Sequence, residues 1–172
     1  MSRNKKPRKA YRPRPVTRHT LAVVIDGAAK PAADDRAQVI APVAQAIKAL
    51  REGVATQMQW SIASGALSVA LAIERQGVVR GLLGHLQAAE VALQAIYDRA
   101  IRIGGGRWVR VTLYYREIDD LQLLLELHTY QINQLGRAEF LAVIAAAEKD
   151  VLAQGHTATV VTDLTQIERI AA

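Results

Sequence analysis

Residues 1–18 contain Arg3, Lys5, Lys6, Arg8, Lys9, Arg12, Arg14 and Arg18, and no acid. Cations on one short segment have a simple chemistry. They are drawn to phosphate backbones and release the counterions condensed there. Tyr11, beside Arg12 and Arg14, could stack on an exposed base while its neighbours meet phosphates. The whole chain carries a formal charge of +6. Removing those eight from its 22 basic residues leaves 14 against 16 acids, so the rest is slightly acidic. The basic character therefore belongs to the arm. Nucleic acid, bound without sequence preference, is the first partner this implies; an acidic partner protein is the second, and an arm that only aids solubility is the third reading. The run KKPRK (residues 5–9) also resembles a nuclear address, but no other feature points to a nucleus.

Other groups that could do chemistry stand in the body. His128 has Glu126 two residues away, whereas two ligands on one helix face need a spacing of three or four. A core histidine with its hydrogen bonds met is the better expectation. His19, His85 and His156 join no ligand-like cluster. Glu117, Asp119 and Asp120 could in principle work as acid and base, yet at a helix start they read as solvated, dipole-favoured charges. Gly104–Gly106 lacks a following Gly-Lys-Ser/Thr and comes after a helix instead of a strand, so it reads as a helix stop. No Ser or Thr stands in a nucleophile-elbow context. The chain has no cysteine, which excludes disulfides and thiolate metal sites. No catalytic residue, metal site or cofactor is expected.

The elements that must position these groups are helical. Hydrophobic residues make up 51% of the chain, dominated by Ala and Leu, and aromatics only 5%. Three prolines and like charges predict a disordered arm over 1–20. Residues 20–27 (TLAVVIDG) fit either a strand or a helical turn, and 28–36 a loop. A first helix is predicted over 42–52, with Pro42 in its first turn and Val43, Ile47 and Leu50 as its stripe. Thr56 and Gln59 match a capping box for a second helix ending before Gly77. That helix is apolar on most sides and should be central. A third is predicted over 79–103, on a seam of Leu82, Leu86, Ala89, Leu93, Ile96, Ala100 and Ile103. Residues 107–115 (RWVRVTLYY) suit a strand, a short hairpin or a packed loop anchored by Trp108, Val111 and Leu113.

A fourth helix is predicted over 116–135, on Ile118, Leu121, Leu125, His128, Ile132 and Leu135, and a fifth over 138–153, carrying Phe140, Ile144, Ala147 and Val151. Short links between helices two and three, and four and five, predict antiparallel neighbours. The tail 156–172 reads as loose, with a helical turn near 164–170.

Several short stretches, taken in order, resemble a family of small proteins encoded by phages and prophages of Gram-negative bacteria. They are Lys9–Val16 (KAYRPRPV), Ala49–Gly53 (ALREG) with Ala55-Thr56, and Trp60 with its alanine-rich helix. Gly106-Arg107-Trp108 before an acidic helix start and Leu125–Gln131 (LELHTYQ) fit as well. The resemblance implies a phage accessory protein and brings no catalytic residues with it.

The chain is thus expected to be an all-α, antiparallel bundle of four or five helices over 21–155, flanked by a disordered basic arm (1–20) and a flexible tail (156–172). The expected function is non-enzymatic association with nucleic acid through Arg3, Lys5, Lys6, Arg8, Lys9, Tyr11, Arg12, Arg14 and Arg18. The alternative is a module that engages a host enzyme or defence complex through the body. An apolar-rich body of this size could also form a homodimer. No signal peptide or bilayer-spanning run fits, since 61–73 is too short, so a cytoplasmic setting in a bacterial host cell is expected.

Overall fold

The computed structural model describes residues 30 and 32–153. The nine arm residues, the run 20–27 and the tail beyond Gly155 lie outside the described residues. Among those described are five helices: α1 (Ala33–Arg51), α2 (Gln57–Gln76), α3 (Leu83–Ile103), α4 (Tyr115–Gln134) and α5 (Arg137–Ala153). No strand occurs among them, so the hairpin near Trp108 is not formed.

α1 begins nine residues before the predicted start, and the described part of the expected 28–36 loop is largely its first turn. Asp34 and Asp35 lie in that turn and Lys48 and Arg51 in the last, each favoured by the helix dipole. Pro42 is therefore interior, where it removes one backbone hydrogen bond. Burial outweighs that loss. Val39 and Ile40, before the proline, pack against a cluster containing Ile73, Ile132 and Val143. Val43, Ile47 and Leu50, after it, are buried as expected. The helix closes on Gly53 (φ +70), whose N–H donates to the Leu50 carbonyl while that of Val54 donates to Ala49. This is a Schellman ending, and only glycine takes its left-handed position without strain.

The capping box forms as predicted. The Thr56 Oγ1 accepts from the Gln59 N–H at 3.3 Å, and Gln59 Oε1 accepts from the Thr56 N–H at 2.8 Å. α2 is central: it packs on α1, α3, α4 and α5. Ala63, Ala66, Ala70 and Ala72 are buried along it, so neighbouring backbones approach closely. α3 starts four residues later than predicted. Glu74 Oε1 accepts from the N–H groups of Gly81 (2.7 Å) and Leu82 (3.2 Å). That pins 77–82 as a turn and meets donors a helix start would leave open. Of the α3 seam, Leu86, Ala89, Leu93, Ile96 and Ala100 are buried, Leu82 is half-buried, and Ile103 at the end is 65% exposed.

α4 buries Leu121, Leu124, His128, Gln131 and Ile132. Leu125 and Ile118 are half-buried. The expected α4–α5 antiparallel pair is not formed; α5 lies chiefly on α2. Leu135 between them is extended (φ −72, ψ 139) and fully buried. The Gly136 N–H donates to Glu139 Oε2 at 2.9 Å. The link thus redirects the chain and does not fold it back. Val143 and Ala147 carry the buried face of α5, with Phe140 and Ile144 half-buried; the Val151 side chain lies outside the described residues. Among the described residues no helix is long and apolar enough to cross a membrane.

Candidate nucleic-acid interface

His128 is 1% exposed and faces the core, while Glu126 is exposed and accepts from Gln122 Nε2 at 3.2 Å. The two do not meet. The expectation of a hydrogen-bonded core histidine needs correction. Neither ring nitrogen has a protein partner. Burial alone lowers the imidazole pKa from 6.5 to about 4. The ring is neutral, sealed and remote from solvent, which suits packing and not proton transfer. One turn on, Gln131 is fully buried and donates through Nε2 to the Ala70 carbonyl at 3.2 Å.

Glu117 is also corrected: it is buried, not a solvated member of an acidic cluster. Its two oxygens accept from Arg99 Nη1 at 2.8 Å and Nη2 at 2.6 Å. The same carboxylate accepts the Tyr114 N–H at 2.8 Å, and Arg99 Nη2 reaches the Thr112 carbonyl at 3.2 Å. The Arg99 pKa is raised, chiefly by its hydrogen bond to Glu117, over the opposing effect of burial. Asp119 is exposed and Asp120 half-buried. Among the described residues no cluster of three or more His, Asp or Glu could hold a metal ion. The glycine run ends α3 as expected, with Gly105 and Gly106 at positive φ.

Beyond the glycines the chain runs without helix or strand over 107–114 and is held at one end of the bundle by aromatic packing. Trp108 Nε1 donates to the Ala55 carbonyl at 3.0 Å, and Trp60 Nε1 to the Leu93 carbonyl at 2.9 Å. The Trp60, Tyr97 and Trp108 rings pack together with centroids 4.8–6.3 Å apart. Val111 and Leu113 pack on the same core. All three anchors named from the sequence therefore hold the segment as a packed loop.

This end of the bundle concentrates positive charge. Between Asp98 and Glu117 stand five arginines and no acid. Arg99 is compensated by Glu117. Arg102, Arg107, Arg110 and Arg116 are exposed and in no ion pair among the described residues. Tyr114 and Tyr115 stand beside them, 66% and 79% exposed. The Arg99 guanidinium lies 4.4 Å from the Tyr114 ring centroid and steadies that ring. Totalling the body's charge concealed this group, because acids outside the run from Arg99 to Arg116, Asp98 and Asp119 near its edges among them, cancel it. Counting in a window from Asp98 to Glu117 would have exposed it.

No family model, curated protein or solved structure matches the chain.

Proposed function

We propose that this chain is a non-enzymatic accessory protein, of phage or prophage origin, that associates with nucleic acid through its N-terminal cations. The observation that carries this reading is charge segregation. Eight cations and no acid occupy residues 1–18, while the remainder holds more acids than bases. Such a segment acts as a non-specific phosphate handle, with the helical body supplying shape. The phage setting is supported by the ordered short motifs alone. The non-enzymatic part is supported by what the body's reactive groups do instead: Glu117 is held by Arg99, and His128 is closed into the core.

The test is a fluorescence-anisotropy titration of full-length protein against DNA at two salt concentrations. It is repeated on a full-length variant with the eight arm cations replaced by Gln. Loss of affinity and of salt dependence in that variant supports the reading. Absence of DNA binding by the unaltered protein, with capture of an acidic host protein instead, overturns it.

A further inference from the structure

We infer that the end of the bundle bearing Arg102, Arg107, Arg110, Arg116, Tyr114 and Tyr115 is a second interface, one that takes single-stranded nucleic acid. The inference rests on reading the chain as nucleic-acid-associating, but it places contact on the folded body as well as the arm.

Three observations lead to it. The first is charge: four exposed arginines lie within fifteen residues that contain no acid, on a body that is acidic in total. The second is the aromatic pair. Tyr115 is the most exposed large hydrophobic among the described residues at 79%, and Tyr114 is 66% exposed. Arg99 lies over the Tyr114 ring, and both tyrosines directly precede Arg116 in the chain. Cations that track a backbone beside rings that stack on bases describe a single-strand surface; a duplex hides its base faces. The third is rigidity. The segment is tied down by the Trp108–Ala55 hydrogen bond, by the Arg99–Thr112 hydrogen bond and by the Arg99–Glu117 pair. The backbone that carries Arg107, Arg110 and Arg116 is thus tied down on both sides of Arg110.

Topology separates this surface from the start of α1. α1 starts beside the end of α4, where Arg36 Nη1 donates to Asn133 at 3.2 Å. α3 ends at the opposite pole, and its 21 residues span about 30 Å. The chain that enters through Ala32 therefore joins the body at the pole away from the arginines.

The experiment uses full-length protein throughout, with oligothymidine and a duplex of equal length as probes. Three variants are compared with the unaltered chain: the arm-neutral variant, R102Q/R107Q/R110Q/R116Q, and Tyr115→Ser. Circular dichroism checks that helix content is unchanged, as exposed positions should allow. The fourfold arginine variant is expected to lose at least about tenfold in single-strand affinity. Its slope of log affinity against log salt should become shallower by about 2 to 3, one phosphate per arginine. Tyr115→Ser is expected to lose roughly 5- to 100-fold for the single strand, with the slope and duplex binding unchanged. A fourfold variant that binds oligothymidine with the original affinity and slope overturns the inference. So does polyglutamate competing as well as oligothymidine while Tyr115→Ser has no effect, which would assign the surface to an acidic protein. Loss confined to the arm-neutral variant removes this interface and leaves the arm reading standing. Loss confined to the fourfold variant does the reverse.

Discussion

Arg99 on α3 grips Glu117 on α4 through two nearly parallel hydrogen bonds of 2.8 and 2.6 Å, both side chains about nine-tenths buried. The pair does more than join two helices. It holds the Tyr114 N–H and the Thr112 carbonyl, so it fixes both the end of the 107–114 segment and the start of α4. Arg107, Arg110 and Arg116 stand on the backbone that this contact and the Trp108 hydrogen bond tie down.

Breaking this pair from one side leaves a buried charge alone. Arg99→Met is expected to cost about 3 kcal/mol of stability. Urea unfolding followed by circular dichroism measures it. Arg99→Met with Glu117→Leu should recover most of the loss, because both charges are then gone. A single variant within about 0.5 kcal/mol of the unaltered protein would show that the pair carries no such role.

His128 gives the fold a pH dependence. The buried imidazole titrates near 4, the unfolded one near 6.5. Between those values the unfolded chain binds a proton that the folded chain refuses, so stability rises with pH across the window. It is fully present above about 6.5 and lost progressively down to about 4, a change of about 3 kcal/mol. His128→Leu should flatten the profile in that range and raise stability at about pH 5, since it also removes two unpartnered nitrogens. Identical profiles for the two proteins would contradict the assignment.

The α2 start offers a smaller test. Thr56→Ala removes the oxygen that meets the Gln59 N–H and should cost about 1 kcal/mol, whereas Thr56→Ser should cost little. Thermal unfolding of both variants checks the order. Equal losses would mean that the methyl group, not the cap, matters there.

Local signals were legible where one residue type answers one geometric demand. Gly53, Gly77 and the Thr56–Gln59 box mark helix ends because few other residues satisfy those positions. The seams of α3 and α4 were legible because spacing alone sets a helix face. Three features depended on partners far along the chain. α1 runs through Pro42 because Val39 and Ile40 find a cluster built from α2, α4 and α5. α5 lies on α2 because Leu135 is buried in an extended conformation between helices. Glu117 is a core ion pair because Arg99, eighteen residues earlier, faces it. The arginine-rich segment was hidden for another reason: its charges were summed with acids outside the window from Arg99 to Arg116.

The measurement that bears most directly on the central claim is the salt slope of DNA binding by the full-length chain, with and without its arm charges. Each phosphate met contributes about −0.7 to that slope for a single strand, so eight arm cations can supply up to about −6. Replacing all eight by Gln should therefore remove most of the slope and leave only a shallow remainder. An arm-neutral chain that binds with the original affinity and slope would contradict the account.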